Sequence, residues 1–221
     1  MFERIFEINK TLKRKSVIIF GPRQTGKSTW LRMNFPQAYY LDLLRPQLFQ
    51  ELIHHPERLG EIISFEKSKH KLFIIDEIQS IPLLMNEIHR QIEENSDLRF
   101  ILTGSSARKL KRAGGNLLGG RLSRYYFHPL VFPEYTSSDD GISWEKILTI
   151  GALPRIILSE YPYDDLSDYV GLYLKEEIHA EGLSRSIENF SRFLQVSALC
   201  QAEQINFTQI GNDAQIPPRT I

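Results

Sequence analysis

The runs Val17-Ile-Ile-Phe20 and Leu72-Phe-Ile-Ile75 place four apolar residues in a row, with no polar residue to turn toward water. A strand with one wet face alternates apolar and polar side chains, so a run without alternation belongs to a strand covered on both faces. Three more short segments extend the pattern: Ala38–Asp42, Arg99–Thr103 and Ser123–His128. Longer stretches of helical spacing lie between them. Ile81, Leu84, Ile88 and Ile92 recur on one face, and Pro82 stands near their start, where its missing N–H costs nothing. Strands separated by helices predict right-handed βαβ units, hence an α/β domain with a parallel sheet and helices on both faces.

The strand signal ends near residue 130. Leu166, Tyr169, Val170, Tyr173, Leu174 and Ile178 predict one helix, entered through Asp164 and Asp165, whose charges suit a helix N-terminus. A second helix is expected from Ile187, and a third over Phe207–Asp213 with Asn206 as its cap. Pro217 and Pro218 would open a fourth, about one turn before the sequence stops at Ile221. A helix–turn–helix pattern that loses its second helix cannot bury its apolar face, so the chain is expected to be a portion of something longer. Pro, Ser, Asp and Gly cluster between Pro133 and Ile142, which marks a boundary. The expected division is 1–135, 136–185 and 186–221.

Composition narrows the setting. The chain has 221 residues, 42% hydrophobic and 24% charged, as a globular core requires. No apolar run approaches the ~18 residues of a membrane span, and the start has no apolar signal segment. The single cysteine, Cys200, excludes an internal disulfide and a cysteine-cluster metal site. It is expected to be a small buried hydrophobe on a helix. A cytoplasmic location follows as the expectation. The 27 basic and 27 acidic residues cancel, but unevenly. Ile8 to Leu41 holds seven basic residues and no acidic one, as does Leu98 to Pro133, whereas Glu134 to Glu181 holds eleven acidic against three basic. Such positive stretches face phosphates or pair with the acidic block.

One segment decides between those readings. Gly21-Pro22-Arg23-Gln24-Thr25-Gly26-Lys27-Ser28 satisfies G-x-x-x-x-G-K-[ST] at every fixed position. An apolar strand leads in, and a helix containing Thr29 leads out. The glycines let the backbone wrap a phosphate with its N–H groups inward, and the helix N-terminus adds partial positive charge. Lys27 is expected to reach the β- and γ-phosphates of ATP, and Ser28 to ligate Mg²⁺. Lys71-Leu-Phe-Ile-Ile-Asp76-Glu77 then ends an apolar strand in two carboxylates. Asp76 suits the metal, usually through water, and Glu77 suits orienting and deprotonating the attacking water. Standing alone, such a pair could also cap the next turn.

Three further residues are candidates. Thr103 ends the fourth strand and could contact the γ-phosphate or the lytic water, with Ser105 or Ser106 capping the next helix. Arg121, after Gly119-Gly120, is the candidate arginine finger donated to a neighbouring subunit, with a structural ion pair as the competing reading. Arg155, in Gly151-Ala-Leu-Pro-Arg155, is the candidate lid arginine acting in the same chain.

These segments occur in order with Gly-Gly-Arg-Leu, His-Pro-Leu-x-Phe-x-Glu and Gly-x-Leu-Pro. Together they resemble the AAA+ family P-loop ATPases of bacteria and archaea that carry a C-terminal domain of unknown function. The resemblance spans about residues 10 to 221. It implies an AAA-like P-loop NTPase domain, a helical lid, a winged-helix-like segment and a further C-terminal region absent here. The function expected is an Mg-ATP-binding, ATP-hydrolysing domain coupling nucleotide state to a helical interaction region. A homo-oligomer and a protein client are the partners it admits. The alternative is a nucleotide-dependent switch with negligible hydrolysis that binds DNA or protein; a small-molecule kinase ranks last, lacking a recognisable acceptor site. The helix–turn–helix start offers only Arg219 and Thr220 to a groove, so protein interaction is expected over sequence-specific DNA binding.

Overall fold

The computed structural model describes residues 2–105, 107–112, 120–137, 141–172 and 186–217. The chain divides into two compact units, residues 1–160 and 161–221.

The first unit is built on five strands: β1 (Ser16–Phe20), β2 (Tyr39–Asp42), β3 (Leu72–Asp76), β4 (Arg99–Gly104) and β5 (Leu122–Tyr126). All pairings are parallel and the spatial order is β2-β3-β4-β1-β5. Each expected strand is present to within one or two residues. Helices α1 (Asn9–Leu12), α2 (Lys27–Asn34), α3 (Pro46–His54), α4 (Arg58–Glu66), α5 (Leu84–Glu94) and α6 (Ala107–Arg112) accompany the sheet.

Period-two geometry explains why the strands read as unbroken apolar runs. Ile18 and Phe20 point into a core with Leu52 of α3, Leu59 and Ile63 of α4, and Leu84 and Ile88 of α5. Val17 and Ile19, between them, point into a second core with Leu12 of α1 and Trp30 and Leu31 of α2. Phe73, Ile75, Phe100 and Leu102 join the first core, and Ile74 and Ile101 the second. Both faces of the central strands β1, β3 and β4 are therefore buried, and the α/β parallel-sheet expectation holds.

Three short helices complete this unit: α7 (Phe132–Thr136), α8 (Trp144–Ile150) and α9 (Pro154–Ile157). Residues 141–160 thus pack with the sheet-bearing unit, while position 185 of the expected division lies outside the described residues. Pro82 stands within the turn ahead of α5, between a 3₁₀ turn at Ile78–Ser80 and the helix itself.

The second unit contains α10 (Pro162–Leu172), α11 (Ile187–Leu199) and α12 (Phe207–Ala214), of which α11 and α12 pack together. Asp164 and Asp165 lie in the first turn of α10, as expected. Asn206 caps α12, its side chain accepting from the amides of Thr208 and Gln209 at 3.1 Å each. Tyr173, Leu174, Ile178, Pro218, Arg219 and Thr220 lie outside the described residues. Cys200 corrects one expectation. It is half-buried and follows the last residue of α11, at the helix C-terminus rather than within it.

Candidate nucleotide site

The carboxyl ends of β1, β3 and β4 meet at one edge of the sheet, where open α/β sheets hold their ligands. The loop 21–28 leaves β1 there. Its first glycine is required by packing: a Cβ on Gly21 would stand 2.1 Å from the Phe127 carbonyl oxygen. Gln24 and Gly26 take left-handed conformations, φ 63° and 92°, which fold the loop back toward α2. Gly26 accepts this without strain because it lacks a Cβ. Thr25 is fully buried and its hydroxyl donates to the Pro22 carbonyl at 2.9 Å.

Lys27 opens α2 and is 5% exposed. Its ammonium donates to the carbonyls of Gly21 at 2.8 Å and Pro22 at 2.9 Å, so the positive charge stands inside the curl of the loop. Pro22 and Arg23 are exposed. Ser28 lies one residue into the helix beyond Lys27, and Thr29 faces the cavity described below.

The two carboxylates at the end of β3 are held differently. Asp76 is buried, and both its oxygens accept hydrogen bonds: Oδ1 from Thr103 and Oδ2 from the Tyr40 hydroxyl. Ser28 acts on the same phenol and tempers the rise in its pKa, so Tyr40 is coupled to both expected metal ligands. Burial, then the Asp76 charge beside it, pushes the Tyr40 hydroxyl far above its ordinary pKa, which keeps it a donor. Glu77 is half-buried and takes the left-handed conformation at φ 62°, ψ 46°, an uncommon backbone state for a residue with a side chain. Two contacts hold it. Its amide donates to Thr103 Oγ1 at 3.0 Å, and its Oε2 accepts from Gln79 Nε2. Gln79 also donates to Ser105 Oγ at 3.2 Å, while its own Oε1 is buried without a partner among the described residues.

Thr103 therefore ties Asp76 to Glu77, donating to the first and accepting from the second. Its register opposite Ile19 puts it between β3 and the strand that feeds the loop. Ser105 accepts from Gln79, and Ser106 lies outside the described residues.

The oxygen donors Ser28 and Asp76 fit a hard divalent cation that arrives with a phosphate ligand. No group of three or more His, Cys, Asp or Glu side chains gathers among the described residues.

A cavity of about 600 Å³ opens beside the loop. Phe2 and Arg4 line it from the N-terminal segment, Gly26 and Trp30 from the loop and α2, and Pro154 and Arg155 from α9. Arg155 thus joins the loop's surroundings within one unit. Arg121 does not. It precedes β5 at the opposite edge of the sheet, since Ser16 rather than Phe20 pairs with Leu122, and it forms an ion pair with Glu93. Gly119 lies outside the described residues.

Sequence reasoning passed over Tyr40, Gln79, Arg4 and Glu134. Tyr40 sits in an apolar strand run as one aromatic among several, and Arg4 precedes every motif. The one available signal was Glu134, the closing position of His-Pro-Leu-x-Phe-x-Glu, which carried the resemblance without a role.

A family model for an AAA domain matches residues 13–136, and a model for a domain of unknown function, DUF8612, matches residues 142–221. No curated protein matches the sequence. Among solved structures the chain is similar to AMPPCP-bound DnaA of Aquifex aeolicus, at 13% identity and TM-score 0.42, over 93% of this chain and 71% of that one. It is similar to the Aeropyrum pernix ORC1 protein in complex with DNA, at 10% identity and TM-score 0.40, over 91% and 71%. Domain III of the Thermotoga maritima replication initiation protein DnaA gives 15% identity and TM-score 0.34, over 93% and 86%. No helix among the described residues is long and apolar enough to cross a membrane.

Proposed function

The chain belongs to the AAA domain family, a nucleotide-binding P-loop ATPase joined to a domain of unknown function, and we propose that it binds Mg-ATP, hydrolyses it, and couples nucleotide state to its C-terminal helices. One observation carries the reading: the buried Lys27 ammonium inside a complete phosphate loop shares a sheet edge with Asp76 and Glu77.

Bound Mg-ATP supplies the electrophilic phosphorus and neutralises its oxygens; phosphoryl transfer then needs positioning and charge more than covalent help. Lys27 exchanges its bonds to the Gly21 and Pro22 carbonyls for phosphate oxygens, while the loop amides and the start of α2 hold the rest of the charge. Ser28 and Asp76 hold the metal. Glu77 accepts the proton of the attacking water, and Gln79 keeps its carboxylate from swinging away. Thr103 sets the spacing of the two carboxylates and could feel the γ-phosphate through Asp76. The cavity beside the loop takes the nucleoside, with Arg155 on its wall. Arg121 acts in trans in this scheme, across a homo-oligomer contact, because it stands at the other edge of its own sheet. The residues after 160 serve as an interaction segment for a protein client, in the cytoplasm.

The test is steady-state ATP turnover beside Glu77→Gln, with and without DNA. The isostere keeps shape but accepts no proton, so it should retain nucleotide and lose turnover by about 100-fold or more. Wild-type turnover in Glu77→Gln would make Glu77 structural and favour the binding-switch reading.

A further inference from the structure

Arg4 lies in the segment ahead of α1, far from every motif in sequence, yet its side chain is only 8% exposed. Its two terminal nitrogens donate hydrogen bonds, while its buried Nε makes an ion pair without a hydrogen bond. Nε stands 3.0 Å from Oε2 of Glu134, itself 2% exposed. One terminal nitrogen donates to the Thr25 carbonyl at 2.8 Å, and the other to the His128 carbonyl at 2.6 Å. The guanidinium lies 4.1 Å above the Phe127 ring. Glu134 is equally engaged: it accepts the Ile5 amide on Oε1 and the Val131 amide on Oε2, both at 3.0 Å. Phe6, two residues on, packs edge-on against Trp30 and Phe127 with ring centres 5.0 and 4.9 Å away.

A buried ion pair bears a desolvation cost that hydrophobic packing would avoid, so the pair alone gives the fold no net advantage. The contact to Thr25 has a different consequence. The carbonyl it grips belongs to the Thr25–Gly26 peptide unit, and no described peptide bond is cis. In a trans peptide the C=O and N–H point in opposite directions. Fixing the Thr25 oxygen against Arg4 therefore fixes the Gly26 N–H toward the other side, the inside of the loop. The unit turns about ψ of Thr25 and φ of Gly26, and Gly26, at φ 92°, tolerates either sign of φ, so the unit can rotate unless something holds it.

We propose that Arg4 is a positioning residue for the phosphate loop: anchored by Glu134, it locks the Thr25–Gly26 peptide so that the Gly26 N–H faces phosphate, and nucleotide binding in return holds down the segment 2–8. The proposal rests on the nucleotide reading above. Reciprocity follows from linkage: if the docked segment raises nucleotide affinity, nucleotide must raise docking by the same factor.

Two measurements on the 221-residue chain test it. The first is hydrogen exchange at Ile5, Phe6 and Glu7 in the wild-type protein, with and without a non-hydrolysable ATP analogue. The Ile5 amide bonds Glu134 directly and reports the clamp without any substitution. Exchange there should slow by about tenfold when the analogue is bound. The second is the affinity of Arg4→Lys and Glu134→Gln for the same analogue, beside their melting temperatures without it. Lysine keeps the charge but lacks the planar fork that serves three directions at once. Arg4→Lys should bind about tenfold more weakly while Glu134→Gln loses the nucleotide-dependent protection of Ile5. Unchanged exchange at residues 5–7 in a wild-type protein that binds the analogue would overturn the proposal and leave the nucleotide reading standing. Wild-type affinity in a folded Arg4→Lys would do the same. A wild-type protein that binds no analogue would overturn the nucleotide reading itself, and the proposal with it.

Discussion

The Tyr40 hydroxyl donates to Asp76 Oδ2 across the β2–β3 pair, where Tyr40 stands opposite Ile74 and Asp76 lies two residues farther along β3. That contact leaves Asp76 with both oxygens occupied, one by a phenol and one by Thr103. It also joins α2 to β3, because the Arg32 guanidinium of α2 covers the Tyr40 ring at 4.1 Å.

The Tyr40 hydroxyl ionises well above the ordinary phenol range, through burial first and the Asp76 charge second. A group whose pKa is raised on folding contributes stability that is full below its unfolded pKa and fades as pH climbs toward the folded one. The metal-free protein should therefore lose this contribution progressively above about pH 10. In Tyr40→Phe that part of the alkaline decline should vanish, giving a shallower fall in urea midpoint between about pH 10 and pH 11.5. Absorbance titration of the native wild type should show one tyrosine that resists ionisation, lost in the variant. Identical alkaline slopes would place Tyr40 in ordinary solvent.

Lys27→Ala removes a buried charge from inside the loop, along with its bonds to the Gly21 and Pro22 carbonyls. One charge-assisted contact to phosphate is worth about 1.5–3 kcal/mol. Titration with a fluorescent ATP analogue should show affinity lower by roughly 10- to 150-fold. Equal affinity in both proteins would remove Lys27 from the site.

Gly21→Ala should destabilise the fold by about 1–3 kcal/mol or more, because the new Cβ meets a carbonyl that cannot yield. The Phe127 amide is itself fixed to the Phe20 carbonyl at 2.7 Å, which ties that stretch of backbone to β1. Gly171→Ala is the matched control. It sits in α10 with nothing within 4 Å of an added Cβ, and should be neutral or stabilising by up to about 1 kcal/mol. Urea unfolding of the three proteins checks both signs, and a stable Gly21→Ala would contradict the close approach.

Thr103→Val keeps volume and removes the one hydroxyl that touches both carboxylate residues. It leaves a buried Asp76 oxygen and the Glu77 amide short of a partner, at a cost of about 1–3 kcal/mol each way. Thr103→Ser, which retains the hydroxyl, should recover most of that loss. Equal unfolding midpoints for Thr103→Val and the wild type would show the bonds to be dispensable.

The strands, the strand–loop–helix at 16–34, the Asp76–Glu77 strand end and the Asn206 cap were all legible in the amino-acid sequence. Each is a local property: periodicity, a turn chemistry or a cap expresses itself within a few residues and survives most tertiary settings. The covering of both sheet faces followed from the same signal, since only a doubly buried strand can omit alternation. The partners of the site were not legible. Tyr40 meets Asp76 at a separation of 36 residues, and the Ile5 amide meets Glu134 at 129. Those meetings depend on the order β2-β3-β4-β1-β5, which brings β2 beside β3, and on α7 and β5 meeting the start of the chain at Ile5 and Thr11. A hydrogen bond carries no trace in the composition of either neighbourhood. Tertiary packing alone decides which buried donor finds which buried acceptor.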